Sequence, residues 1–127
     1  MSVTVLIVDD SKLARIVAGK ALAELQPDWH KVEANGATEA LEKIDGGIGD
    51  LALIDFNMAG QDGLELASQL RVIRPDMPIA IITANIQEEI IARARQIGAA
   101  FIAKPVTAEA LEGFISGAAL RLRSQRS

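Results

Sequence analysis

The chain has 127 residues and a mass of 13.5 kDa, room for one domain with its own core. It has no cysteine, which excludes disulfides, thiolate metal sites and cysteine nucleophiles, and its one histidine, His30, reads as an ordinary surface or strand residue. With 13 basic against 17 acidic residues it is mildly acidic and lacks the cationic field that nucleic acid requires.

Half of the residues are hydrophobic, but only Trp29, Phe56, Phe101 and Phe114 are aromatic, so the core is expected to be aliphatic. No apolar run approaches the roughly 20 residues that span a bilayer, so no membrane association is expected. The start, MSVTVLIVDD, has no basic region and meets two aspartates after a short apolar run, which is not a secretory signal. A cytoplasmic protein is expected.

In chain order, short and nearly continuous apolar runs alternate with helix-length segments. The runs are Val3–Val8, the weaker His30–Ala34, Leu51–Ile54, Pro78–Ile82 and Ala100–Ala103. Continuous runs suit strands covered on both faces, as in a parallel sheet between helical layers. The first helix is predicted over Ser11–Leu25 and stops at Pro27. The second covers Thr38–Ile44 and ends at Gly46–Gly47, and the third covers Leu64–Ile73 and ends before Pro75. The fourth covers Ile86–Ile97, with Ile86, Ile90, Ala94 and Ile97 on one stripe and Gly98 as its stop. Thr107 is the expected N-cap of the fifth, Ala108–Leu122. This is a (βα)5 pattern: an α/β fold with a doubly wound, five-stranded parallel sheet and right-handed crossovers.

Chemistry collects where the strands end. The first strand runs into Asp9–Asp10, the third into Asp55, the fourth into Thr83 and the fifth into Lys104. Taken singly, an aspartate after a strand is a cap or turn residue. Together they lie at the carboxyl edge of the sheet, where open α/β folds bind ligands. Three carboxylates repel one another unless a cation neutralises them, and an all-oxygen site suits Mg²⁺. A lysine charge and a threonine hydroxyl beside them complete a set suited to a phosphoryl group.

VLIVDDSKLAR, LALIDFNMAGQDGLEL, AIITA and GAAFIAKPV, in that order, resemble the receiver domain of two-component response regulators over essentially the whole chain. The resemblance implies the flavodoxin-like strand order 2-1-3-4-5. It implies that Asp55 accepts a phosphoryl group from a histidine kinase or a histidine phosphotransfer protein. Asp9, Asp10 and Asp55 would hold Mg²⁺ with the backbone carbonyl of Asn57. Thr83 and Lys104 would engage the phosphoryl oxygens, with a cis bond before Pro105. Phe101 would be the aromatic switch, and the small Ala84 would leave the site accessible. The family commonly has proline where this chain has Ala59, so a looser loop through Gly60 and Gly63 is expected.

In the fifth helix Leu111, Phe114, Ile115, Ala118 and Leu122 form an apolar stripe, and Ala110, Gly113, Gly117 and Leu120 lie away from it. Gly113, Gly117 and Leu120, with Ile86 and Ile90 of the fourth helix, are candidates for a surface that meets a downstream protein or a second copy. The resemblance puts output on this face, formed by the fourth helix, fifth strand and fifth helix. Residues 1–123 are expected to form the domain and 124–127 a short basic tail. The length leaves no space for an output domain, so a stand-alone receiver acting through a partner is expected, or one whose further domain follows Ser127. A scaffold that never takes phosphate would not need all the key positions. An aspartyl-phosphate phosphatase would carry Asp-x-Asp after its first strand and a cap domain. A flavodoxin-like carrier would need a Ser/Thr/Gly-rich loop where Asp9–Asp10 stands.

Overall fold

The structure, a computed structural model, describes residues 2–126. The elements are β1 (Thr4–Val8), α1 (Lys12–Leu25), β2 (His30–Ala34), α2 (Ala37–Asp45), β3 (Leu51–Asp55), α3 (Gly63–Ile73), β4 (Ile79–Thr83), α4 (Glu88–Gln96), β5 (Ala100–Ala103) and α5 (Ala108–Arg126). The five strands form one parallel sheet in the order β2-β1-β3-β4-β5, as expected.

The continuous apolar runs are explained by two cores. Side chains alternate across a strand. Leu6, Val8, Ala52, Ile54, Ile79 and Ile81 point to the face covered by α2, α3 and α4. Val5, Ile7, Leu51, Leu53, Ala80 and Ile82 point to the face covered by α1 and α5. Every residue of β3 and β4 is buried, because these strands have neighbours on both edges and helices on both faces. The cores are aliphatic, and all four aromatics are only partly buried.

Helix ends follow local chemistry. Ser11 Oγ accepts from the Ala14 N–H, and Thr107 Oγ1 accepts from the Ala110 N–H, so both act as N-caps. Gly98 takes φ +67° after α4, the left-handed conformation that made it the expected stop. Two boundaries differ from expectation by more than one residue. The fourth helix starts at Glu88, because the chain first turns: Thr83 Oγ1 accepts from the Asn85 N–H and Asn85 O from the Gln87 N–H. Ile86 therefore lies in a loop, exposed. The expected basic tail is helical as far as Arg126, with Gln125 Nε2 donating to Asp76 O at 3.2 Å. Nothing between Leu122 and Arg126 breaks a helix, and basic residues suit a helix C-terminus. Ser127 lies outside the described residues. Among those residues no helix is long and apolar enough to cross a membrane.

Candidate functional site

Strand register assembles the site. Val8 of β1 pairs with Ile54 of β3, so the chain continues into Asp9 on one strand and Asp55 on the next at the same level. Asp55 pairs with Ile82 and Thr83 with Ala103, which delivers Thr83 and Lys104 to the same edge. One oxygen from each of Asp9, Asp10 and Asp55 lies within 4.8 Å of the others. Asp9 and Asp55 are buried and Asp10 is exposed. Lys104 Nζ stands 2.8 Å from Asp55 Oδ1. That buried oxygen accepts no well-angled hydrogen bond, so the ion pair is its principal compensation. The Lys104–Pro105 bond is cis.

The surroundings hold the carboxylates in place. Asp9 Oδ1 accepts from the Ser11 N–H at 2.9 Å, and Asp10 Oδ2 from the Ala59 N–H at 3.2 Å. A proline at residue 59 would have no N–H to give. Thr83 is fully buried, and its Oγ1 is occupied by the Asn85 N–H at 3.0 Å. Beside Asp55 and Lys104 a recess of about 280 Å³ opens between apolar walls that include Leu13, Val17, Pro105 and Val106.

Burial dominates the electrostatics of Asp9, with Lys104 opposing the neighbouring carboxylates. Burial raises the pKa of Asp9, the Ser11 N–H partly offsets this, and the charges of Asp55 and Asp10 raise it further. The Asp55 carboxylate raises the Lys104 pKa, against a smaller opposing effect of burial. Asp9 thus titrates higher in the folded than in the unfolded chain. Its ionised form costs stability above the unfolded pKa, and the cost fades as pH falls through the raised folded value. Asp9→Asn is expected to raise the melting temperature in chelator at neutral pH by roughly 2–5 °C. The gain shrinks on acidification. Differential scanning calorimetry across pH checks it, and a lower melting temperature would contradict it.

The donor set fits a hard divalent cation: three carboxylates, no sulfur or imidazole, and like-charge repulsion that a cation relieves.

The other expected site residues fall as follows. Asn57 is exposed two residues beyond Asp55, Ala84 is exposed just after β4, and Phe101 is half-buried on β5 against the core under α2–α4. Gly113, Gly117 and Leu120 are exposed on α5. Ile90 is different: it is buried at 4 % exposure in the core beneath α4 and offers nothing to a partner. Helical spacing puts it on one stripe with Ile86, but Ile86 precedes the helix. His30 is exposed at the start of β2, the opposite end of the sheet from the site.

In the loop after β3, Gly60 takes φ +86°, with nothing within 4 Å of where a Cβ would stand. Gly63 is tightly packed: a Cβ there would lie 2.3 Å from Asp55 O. Asp62 caps α3 in a capping box with Glu65. Two residues near the site were missed by sequence reasoning. One is Gly63, whose type hinted at a turn but not at a close approach. The other is Arg15, whose Nη1 donates to Asp9 O at 2.7 Å and whose Nε donates to Glu33 Oε1 at 2.6 Å. No spacing rule in VDDSKLAR signals that contact.

Comparison with known proteins agrees with this geometry. A family model described as "Response regulator receiver domain" matches residues 5–116. The cyclic di-GMP phosphodiesterase response regulator RpfG of Xanthomonas campestris pv. campestris (strain 8004) is 32% identical over 128 residues. That match covers 98% of this chain and 34% of RpfG, so the chain spans about a third of that relative's length. A CheY-like response regulator receiver domain protein from Methanospirillum hungatei JF-1 superposes with TM-score 0.85 at 26% identity, covering 98% of this chain and 99% of that one. The response regulator TrrA of Thermotoga maritima, solved in complex with Mg²⁺–BeF, superposes with TM-score 0.79 at 25% identity, covering 91% and 97%. Strand order, acidic cluster and family match agree: this chain belongs to the receiver domain family of two-component response regulators.

Proposed function

We propose that Asp55 accepts a phosphoryl group from a histidine kinase or a histidine phosphotransfer protein, and that the modified domain signals through a protein-interaction surface. The observation that carries this is Asp55 Oδ1: a buried carboxylate oxygen, without a well-angled hydrogen bond, at the edge of an open recess and facing Lys104. A carboxylate so placed is a nucleophile with one charge partner and no competing donor. In the transfer a bond forms from an Asp55 oxygen to phosphorus as the bond from phosphorus to the donor's imidazole nitrogen breaks. The electron pair leaves with that nitrogen.

Asp9, Asp10 and Asp55, with the Asn57 carbonyl, would hold Mg²⁺. The ion, once bound, offsets the negative charge that phosphoryl oxygens bring to three carboxylates. Lys104 exchanges its pairing with Asp55 for the phosphoryl oxygens. Thr83 gives up its Asn85 N–H contact and turns its hydroxyl toward the same group. Phe101 follows Thr83, and the small Ala84 keeps the entrance open. The new charge of about −2 then biases the loops after β4 and β5. The output surface comprises Ile86, Gly113, Gly117 and Leu120 on the α4–β5–α5 side, facing a downstream protein or a second copy. The setting is the cytoplasm, with no role for direct nucleic-acid contact.

Intact-mass measurement after incubation with Mg²⁺ and acetyl phosphate tests the assignment. One labile phosphoryl adduct is expected. It should be abolished by Asp55→Asn and by chelator. An adduct that persists in Asp55→Asn would move the acceptor elsewhere. No adduct with acetyl phosphate or with a kinase would leave a constitutive scaffold.

A further inference from the structure

Arg15 contacts none of the three site carboxylates, yet it grips the peptide that carries two of them. Its Nη1 donates to the carbonyl of Asp9 at 2.7 Å, and its Nε donates to Glu33 Oε1 on β2 at 2.6 Å. The Asp9 N–H donates to Ala34 O, also of β2, at 3.1 Å. The Asp9 main chain is therefore held to β2 on both sides, directly through its N–H and through the Arg15–Glu33 pair at its carbonyl. The peptide unit is planar, so fixing the Asp9 carbonyl fixes the plane from which Asp10 departs. The guanidinium is suited to this, since it offers donors in a rigid fork. The Arg15 side chain is 13% exposed and that of Glu33 48%. A pair open to water on one side contributes little as charge, and its value lies in geometry.

We propose that Arg15, oriented by Glu33, is a positioning residue that aims the Asp9 and Asp10 carboxylates at one divalent cation and so sets its affinity. This rests on the Mg²⁺ site proposed above. Geometry and charge predict opposite signs. Arg15 is a cation near a cation site, so on charge alone its removal would tighten Mg²⁺ binding. If it positions the carboxylates, its removal weakens binding. Partners that orient metal ligands from behind typically govern affinity by 10–100-fold.

The experiment is a Mg²⁺ titration followed by backbone amide NMR of the whole chain, with no phosphoryl donor. The Ser11 and Ala59 amides report directly, because they donate to the Asp9 and Asp10 carboxylates. In Arg15→Met the Mg²⁺ midpoint is expected to rise about tenfold. Arg15→Lys keeps the charge but loses the fork, and Glu33→Ala leaves the guanidinium unoriented; both should weaken binding in the same direction. Combining Arg15→Met with Glu33→Ala should add little to either alone. Glu33→Ala also serves if Arg15→Met folds poorly, since Glu33 is half-exposed. Unchanged or tighter binding in the folded variants overturns the proposal, even if their melting temperature falls, because the pair would then be structural only. A wild-type chain whose amides ignore Mg²⁺ overturns the metal site itself, and that failure is visible before any variant is made.

Discussion

Gly63→Ala is expected to lower the melting temperature by about 10 °C, a loss of about 3 kcal/mol, and to slow adduct formation at Asp55 severely. Gly63 is the first residue of α3, and its backbone runs against the end of β3. A Cβ there would lie 2.3 Å from Asp55 O, 2.9 Å from Phe56 Cα and 3.0 Å from the Asp55 carbonyl carbon. All three are backbone atoms, so no side chain can rotate away. The Gly63 N–H also donates to Phe56 O at 2.8 Å, which ties the two segments together. Relief of the clash must shift either the start of α3 or the peptide that carries the acceptor. Gly113→Ala and Gly117→Ala are the matched controls. Nothing lies within 4 Å of a Cβ at either position, and both are exposed inside α5. Each should stabilise by about 0.5–1 kcal/mol, through helix propensity and reduced freedom of the unfolded chain. Thermal melts and adduct rates of the three variants, measured together, check this. A Gly63→Ala protein as stable and reactive as wild type would refute the close approach.

Arg71→Met is expected to cost about 2–4 kcal/mol and to loosen the C-terminal end of α4 before the rest of the molecule. Nε of Arg71 donates to Ile97 O at 2.7 Å, Nη2 to Gly98 O at 3.2 Å, and Nη1 to Met77 O at 2.6 Å and Pro75 O at 2.9 Å. One side chain of α3 thus satisfies carbonyls at the end of α4 and in the connection to β4. Burial lowers its pKa, and nearby Arg121 adds to this while Asp76 opposes. The guanidinium nonetheless stays charged at neutral pH. Methionine keeps most of the apolar stem but leaves these carbonyls without their donor. Arg71→Lys should recover little, because a single ammonium cannot span both segments. Hydrogen exchange localises the effect. Faster exchange should appear first in the Arg95–Ala99 amides, and a uniform increase across the sheet would argue against a local staple.

Neither contact could be foreseen from the sequence, whereas other features could. The apolar runs, the helix stops at Pro27, Pro75 and Gly98, and the N-cap at Thr107 depend on neighbours within a turn or two of chain, so a linear pattern exposes them. The acidic cluster was legible for a related reason. Its members stand at the end of β3 or within two residues after β1, and parallel strands deliver their carboxyl ends to one edge. Ile90 and Ile86 show the limit. A stripe at helical spacing marks a shared face only where the helix exists, and the turn after Thr83 removes Ile86 from it. The stripe could not say that Ile90 faces the core while Ile86 faces water. Likewise nothing in the sequence separates Gly60 from Gly63, yet only Gly63 is pressed against neighbouring backbone.

The sequence by itself determined the (βα)5 order, the two-sided sheet, the family, and which polar residues stand at the carboxyl ends of the strands (Asp9, Asp10, Asp55, Thr83 and Lys104), because each apolar run and the polar residue that ends it are read from a few consecutive positions. Tertiary structure alone decided that Arg15 reaches Glu33 across 18 residues, that Arg71 reaches Ile97 across 26, and that Gly63 presses on the Asp55 carbonyl. Those contacts depend on strand register and helix placement. Both are set by packing of the whole sheet, which no local window of the chain contains.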